Sequence, residues 1–353
     1  MKLLLVCLLL LLPTIGMITT VNAQEEQKSC NYDKNDYLYS FSCGRLVTDD
    51  DGKGKIREFT LILQEHTILN ITDQGQQFDG WTYNGTIPGP TMRMTEGDNV
   101  RIKLVNPSTN NFTHSIHMHS IHNGNMDGAM MVMDNNDNTE EKTSMGFVGP
   151  GEQFIYEFQA QPFGVYPYHC HVPPVADHIN RGLYGMMIID PKEPRSQATE
   201  MAMLMNGYDL NYEQEGEMVA PPEVNHTDPL KFIASEGDSE ERDNEIYTVN
   251  GKAFEYNDDP IDLKVGETYR IYLANMLEFD LVNSFHVHGM MFHYIPVGTT
   301  IEPLEQITDV VTLGQGDRGI IEITPTHEGL FMFHAHVTEF TDLGWVGVFN
   351  VTK

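Results

Sequence analysis

The sequence predicts an all-β protein built from two tandem sandwich domains, and three observations carry that prediction. Short β-rich runs such as Arg101-Ile102-Lys103-Leu104-Val105-Asn106 and Gln153-Phe154-Ile155-Tyr156-Glu157-Phe158 are separated by Gly, Pro, Asn and Asp, a pattern of strands and turns. No long stretch carries a 3.6-residue apolar period. The chain also repeats itself. Trp81-Thr82-Tyr83-Asn84-Gly85 echoes Tyr247-Thr248-Val249-Asn250-Gly251, Gly97-Asp98-Asn99-Val100-Arg101-Ile102 echoes Gly266-Glu267-Thr268-Tyr269-Arg270-Ile271, and Gly149-Pro150-Gly151-Glu152 echoes Gly314-Gln315-Gly316-Asp317. Two copies of one sandwich follow.

Taken in order, residues 1–23 read as a secretory signal: Met1-Lys2, an apolar run from Leu3 to Leu12, and the exit Val21-Asn22-Ala23. The mature chain is expected to begin near Gln24 and to be secreted or extracytoplasmic. The apolar run falls short of the ~20 residues a spanning helix needs, which disfavours a permanent membrane anchor. An N-terminal arm occupies residues 24–56. With Cys7 lost in the signal and Cys170 assigned below, Cys30 and Cys43 remain as a pair in an exported chain, where a disulfide is expected to pin the arm. Domain 1 is placed at 57–190, a linker rich in proline and charge at 191–199, and domain 2 at 200–353. Residues 207–244 are acidic and irregular, and read as a surface excursion.

The 353 residues carry 21 Lys+Arg against 51 Asp+Glu, a net charge of -30, which argues against nucleic acid or an anionic membrane surface as partner. A solvated acidic surface accounts for it, with steering of cationic small molecules or metal ions as the sharper alternative.

The chemistry concentrates at Tyr168-His169-Cys170-His171 and at His178, eight residues beyond the cysteine. A soft thiolate among borderline imidazoles is a ligand set that copper prefers. Neighbours on an extended strand face opposite sides, so Cys170 and His178 can serve one copper while His169 and His171 serve a second site. A zinc site, or a buried thiol among chance histidines, is the competing reading. Against it stand four His-X-His pairs: His117/His119, His169/His171, His286/His288 and His334/His336. Random placement of the chain's histidines would give roughly 0.6 such pairs. These four also sit at equivalent points of the repeat, twenty residues after Gly97 and Gly266 and eighteen after Gly151 and Gly316. Two pairs per domain, meeting across an interface, would supply eight imidazoles, which suits a cluster of three coppers better than one ion.

The halves differ informatively. Domain 1 has His114 three residues before its first pair where domain 2 has Asn283, and Cys170 inside its second pair where domain 2 has Ala335. The thiolate site is therefore expected once, from His114, Cys170 and His178.

On these residues the chain resembles the two-domain multicopper oxidases, laccase-like relatives of copper-containing nitrite reductase, of the kind whose type 1 copper lies in the first domain. Tyr83-Asn84-Gly85-Thr86-Ile87-Pro88-Gly89-Pro90 also looks like that family's N-terminal signature. The resemblance implies two cupredoxin-like Greek-key sandwiches and about four coppers per subunit, of types 1, 2 and 3. His114, Cys170 and His178 would be type 1 ligands, and the four pairs would hold a type 2 plus binuclear type 3 cluster between subunits of a homotrimer. Leu183 stands where an axial methionine is usual. Loss of that thioether destabilises the cupric state and raises the reduction potential, unless a displaced Met186 or Met187 substitutes for it.

The implied reaction is one-electron oxidation of a reductant coupled to four-electron reduction of O2 to water. The donor is expected to be a small molecule, a metal ion or a cupredoxin. Nitrite reductases carry an aspartate where this chain has His117, which favours the oxidase. A nitrite reductase or other nitrogen-oxide enzyme, and a non-catalytic copper electron carrier, are the alternatives. Protons must reach the cluster through a carboxylate. Asp127, followed by Gly128 as near the type 2 copper of laccases, is one candidate, and Glu339, three residues past His336, is a second. His66, His122, His226, His293 and His327 read as ordinary histidines. The methionines at 126, 130, 131 and 133 read as packing around the type 1 pocket, with a cuprous docking site as the alternative.

Overall fold

Period-two burial builds both halves of the molecule. Along Lys55–Asn70, Phe59, Leu61 and Leu63 are buried while Thr60, Ile62 and Gln64 are exposed, as expected of a sheet with one wet face. The computed structural model describes residues 30–49, 52, 54–119, 126–129, 131–133, 142–144, 146–210, 243–303 and 306–353. The signal segment, His122, His226, Met130 and residues 211–242 of the acidic excursion lie outside them.

The first half contains β1 (Arg45–Thr48), β2 (Lys55–Asn70), β3 (Gln77–Tyr83), β4 (Gly89–Thr95), β5 (Asn99–Val105), β6 (His117–Met118), β7 (Met131–Met133), β8 (Lys142–Ser144), β9 (Gln153–Gln159), β10 (Gly164–His169), helix α1 (Val175–Asn180) and β11 (Tyr184–Asp190). The second contains β12 (Thr199–Tyr208), β13 (Ile246–Val249), α2 (Glu255–Asp258), β14 (Ile261–Lys264), β15 (Tyr269–Asn275), β16 (Val282–Val287), β17 (Phe292–Pro296), β18 (Ile307–Thr308), β19 (Val310–Gly314), β20 (Arg318–Ile323), β21 (Gly329–His334), α3 (Thr338–Asp342) and β22 (Val346–Thr352).

One sheet runs β1-β2-β5-β9, with β3 added to β2, and faces the sheet β4-β11-β10-β6. The second half repeats this with β13-β12-β15-β20-β17-β18 and β14-β22-β21-β16-β19. β2 is parallel to β5 as β12 is to β15, and β4 to β11 as β14 is to β22. The sequence repeat is thus a repeat of cupredoxin-like topology. The Asn-Gly turns show it locally. Asn84 and Asn250 take φ of 61° and 56°, and their Oδ1 atoms accept the N–H groups of Ile62 at 2.7 Å and Leu204 at 2.8 Å.

Each half has its own apolar core, and a third cluster joins them, with Tyr184, Met186 and Ile188 packed among Ala202, Leu204, Tyr272 and Ala274. Burial of this seam makes the halves one packed unit. Arg93 clasps Asp190 at 2.7 Å on one side and Glu200 at 2.6 Å on the other. The N-terminal arm is also woven across the seam: Leu38 enters the second core, Ala202 N–H donates to Leu38 O, and Ser42 N–H donates to Thr91 O. Cys30 and Cys43 form a disulfide at its base. Among the described residues no helix is long and apolar enough to cross a membrane.

Candidate metal centres

Three elements bring the thiolate site together. His114 precedes β6 and is held by a two-way backbone bridge to Val148, Cys170 follows β10, and His178 lies on α1. Cys170 N–H donates to Leu183 O and Leu183 N–H to His178 O, so the loop folds back on its own cysteine. His178 Nδ1 lies 3.1 Å from Cys170 Sγ, His114 Nδ1 lies 3.9 Å from it, and the two Nδ1 atoms are 3.3 Å apart. All three side chains are buried. Burial pushes the Cys170 thiol up, but the charge of His178 and hydrogen bonds from both imidazoles hold it well below the ordinary thiol range, and Ser115 N–H adds a 3.4 Å contact to Sγ. A buried thiolate beside two ring nitrogens that point at one spot fits a copper ion.

Leu183 is fully buried in the same core as Cys170 and Met187, whereas Met186 faces the interdomain cluster. Trp81 stands edge-on to both imidazoles, with ring centroids 5.1 Å from His114 and 5.0 Å from His178.

Sequence reasoning missed Glu65, whose Oε1 lies 2.9 Å from His114 Nε2. The signal was available. Phe59, Leu61 and Leu63 set an inward register that places Glu65 next, and an acid in such a register needs a buried partner.

The histidine pairs form two matching groups. His117, His119 and His169 bring one ring nitrogen each within 4.8 Å of one another, and His286, His288 and His334 do the same in domain 2. Among the described residues these are separate groups within one chain. His119 Nε2 and His169 Nε2 are 3.0 Å apart, and His288 Nε2 and His334 Nε2 are 3.1 Å apart. His169 and His334 donate Nδ1–H to the carbonyls of Cys170 and Ala335, and His117 and His286 donate theirs to the carbonyls of Asp127 and Asp309. That fixes the tautomer with the Nε2 lone pair free for a metal. His171 and His336 pack 5.1 Å and 5.2 Å from the rings of His117 and His286, and His171 Nδ1 is buried with no hydrogen-bond partner among the described residues. Burial, then the neighbouring His117 and Arg318, lowers His119 to about 4, and burial lowers His169 and His334 also. These rings are neutral donors at neutral pH.

Asp127 lies 3.2 Å from His117 Nδ1 through its carboxylate as well. Gly128 makes this approach possible, because a Cβ there would sit 2.2 Å from Ile116 O. Asp309 holds the matching place in domain 2, its carboxylate 3.8 Å from His286 Nδ1, and sequence reasoning did not find it. Its distance of 23 residues from His286 hid the equivalence. Glu339 is exposed at the start of α3, and among the described residues no hydrogen bond or ion pair joins its carboxylate to a histidine. His66 pairs with Asp79 at 3.0 Å and His327 with Thr326, both away from the centres. Met126 packs against the domain 1 core.

Two family models, each described as multicopper oxidase, match residues 66–194 and 223–353. A multicopper oxidase of known structure is 40% identical, superposes with a TM-score of 0.73, and the match covers 92% of this chain and 98% of that one. A blue copper oxidase from Nitrosomonas europaea is 26% identical with a TM-score of 0.65, covering 84% of this chain and 86% of that one. The copper-containing nitrite reductase of Neisseria meningitidis serogroup A is 28% identical over 266 residues, 75% of this chain, and the match spans 61% of that relative's length.

Proposed function

Since the chain belongs to the multicopper oxidase family, we propose that it is an exported oxidase that takes single electrons from a small reductant and reduces O2 to water at a cluster shared between subunits of a homotrimer. The observation that carries the reading is the pair of matching three-histidine groups, one per domain, with the thiolate site wired by sequence to only one of them. A half-site of three imidazoles, with His171 or His336 packed beside it as a fourth, is a poor container for three metal ions. Two half-sites facing each other from different copies make a complete one. Apolar side chains on and beside the histidine-bearing strands of domain 2 support this assembly: Leu281, just before β16, and Val282, Leu330 and Met332 in β16 and β21 are 86%, 44%, 72% and 39% exposed. Exposed apolar side chains flanking a half-built site on both sides call for a partner.

In this reading His114, Cys170 and His178 would hold the electron-accepting copper, and the eight paired histidines the cluster. Copper would supply the one-electron chemistry at the first centre and the four-electron chemistry with O2 at the second. The chain supplies the rest. Cys170 is covalently continuous with His169 and His171, the shortest bonded route between centres. Burial of the thiolate site keeps water from it. Asp127 and Asp309 are the carboxylates positioned to pass protons along the His117 and His286 sides. The donor would be a small molecule, a metal ion or a cupredoxin.

A nitrite reductase is the second reading, favoured by curated relatives of that name. Copper content and oxygen uptake of the purified chain separate the two. The oxidase requires about four coppers per chain, a blue absorption band and oxygen consumption with a generic one-electron donor. About two coppers, with nitrite turnover and no oxygen uptake, would replace it.

A further inference from the structure

Glu65 continues the apolar register of β2 inward, and its side chain is 3% exposed. It sits where the strand breaks register, between Gln64 and Thr67, with His66 at a φ of 53°. A bulge of this kind re-aims a side chain without ending the strand. The carboxylate it delivers is met only by donors. Asn111 N–H reaches Oε2 at 2.8 Å, while Phe112 N–H at 3.0 Å and His114 Nε2–H at 2.9 Å reach Oε1. With a backbone N–H on each of its oxygens, this side chain is held as a hydrogen-bond acceptor facing His114. Among the described residues its one ion pair is with His114, whose other nitrogen faces Cys170 Sγ and His178 Nδ1. Among the described residues no lysine or arginine pairs with it, so beyond the two backbone N–H groups its charge is felt through the imidazole.

We propose that Glu65 is a positioning residue that sets the reduction potential of the thiolate copper. It does so by holding His114 with Nδ1 toward the metal and by fixing a negative charge one imidazole away. This rests on the reading of His114, Cys170 and His178 as a one-copper centre. The sign follows from charge. The cupric ion carries one more positive charge than the cuprous, so a nearby anion favours it and lowers the potential. Leu183, by withholding a thioether, works in the opposite direction. The centre would then be tuned by two opposed devices, Leu183 and Glu65, neither of them a ligand.

The test is a redox titration of the blue band in the copper-loaded full chain for wild type, Glu65→Gln and Glu65→Asp. Glu65→Gln keeps an oxygen acceptor for His114 and loses the charge. At the wild-type midpoint its ratio of reduced to oxidised copper should rise about tenfold or more, equivalent to a 59 mV increase for one electron. Glu65→Asp, which keeps the charge, should stay within about threefold of wild type, below the roughly 10–100-fold that loss of a partner behind a ligand costs. Competition of the copper-free proteins with chelators gives a second readout, because affinity for Cu(II) relative to Cu(I) should fall by the same factor in Glu65→Gln. A role limited to pinning residues 111 and 112 would change melting of the copper-free protein and leave the midpoint where it was, and that result would overturn the assignment. If neither variant folds, redox-difference infrared spectra of wild type labelled with 13C-glutamate decide. A glutamate carboxylate band that moves on reduction supports the assignment, and its absence sinks it. A wild type with no blue band removes the copper centre and Glu65's role together, whereas a blue wild type with an unmoved Glu65→Gln midpoint removes only the latter.

Discussion

Domain 1 and domain 2 share one scaffold and differ in what fills it. Cys170 N–H donates to Leu183 O as Ala335 N–H does to Trp345 O, Trp81 N–H to Arg181 O as Tyr247 N–H to Leu343 O, and Leu183 N–H to His178 O as Trp345 N–H to Phe340 O. Ser115 Oγ accepts the N–H of His171 as Ser284 Oγ accepts that of His336. On this correspondence His114, Cys170, His178 and Leu183 match Asn283, Ala335, Phe340 and Trp345. Domain 2 stacks Tyr247 on Phe340 with ring centroids 3.9 Å apart, where domain 1 sets Trp81 edge-on to two imidazoles. The candidate metal site of one copy is filled in the other by Ala335, Phe340 and Trp345 around a buried Asn283. The histidine pairs nevertheless persist in both, so their retention in domain 2 has nothing to do with supporting a thiolate site.

The largest expected effect comes from making domain 1 resemble domain 2. Cys170→Ala should abolish the blue absorption, remove one copper per chain and bring donor oxidation to background. The cluster coppers and the fold should be retained, because Ala335 already occupies the same place in an intact sandwich. Copper analysis with spin-resonance spectra checks this. Loss of all the copper would mean that the two centres do not form independently.

The second prediction exploits the exposed face that only matters if copies meet. Leu330→Glu places a charge on a residue 72% exposed in the single chain. Stability of the chain should change by no more than about 0.5 kcal/mol, while association should weaken by about 2 kcal/mol or more per interface if the residue is central. Sedimentation should then report a mass of one chain instead of the three of the proposed trimer, and oxygen uptake should fall with it. A trimer that survives with full activity would move the interface elsewhere.

The third compares one ion network in two settings. Arg101 pairs with Glu58 at 3.2 Å and Glu157 at 2.8 Å, and its counterpart Arg270 pairs with Glu200 at 3.3 Å and Glu322 at 2.7 Å. The strand register makes them equivalents, but Arg270 is 4% exposed and Arg101 20%. Arg270→Ala should cost about 3–5 kcal/mol, because it strands the buried carboxylate of Glu322, while Glu200 keeps Arg93. Arg101→Ala should cost about 0–1 kcal/mol, because water replaces the partner. Equal losses in denaturant melts would show that burial is not what separates the two.

This equivalence marks what could be read without coordinates. The β class, the repeat and the histidine pairs were legible because strand periodicity and ligand spacing are local in sequence. The Gly97 and Gly266 motifs even carried Arg101 and Arg270 with them. Burial was not legible, since it depends on which sheet face meets the other domain. Asp309 escaped notice because a long connection separates it from His286. The interleaved arm could not be anticipated either. Leu38 lies in an acidic, aromatic-rich stretch with no period, and only packing decides that it joins the core of domain 2.

The last prediction concerns the seam where the two domains feel each other's charge. Burial, and then the charge of Asp177 beside His178, raises Glu278 of domain 2 from an ordinary 4.5 to about 7. Between those values the folded chain holds a proton that the unfolded chain has released, so Glu278 makes stability fall as pH rises through the window and adds nothing further above it. At 1.36 kcal/mol per unit the whole window is worth at most roughly 3 kcal/mol. Glu278→Gln is neutral at every pH and keeps an oxygen for the 3.4 Å contact from Gln315. Its stability relative to wild type should therefore be unchanged near pH 4.5 and should climb to a gain of roughly 2–3 kcal/mol by pH 8. Urea melts of both proteins at pH 4.5, 6 and 8 measure that difference, in which the contributions of all other carboxylates cancel. A gain that does not vary with pH would assign the effect to packing, and would leave Asp177 and Glu278 without electrostatic contact across the seam.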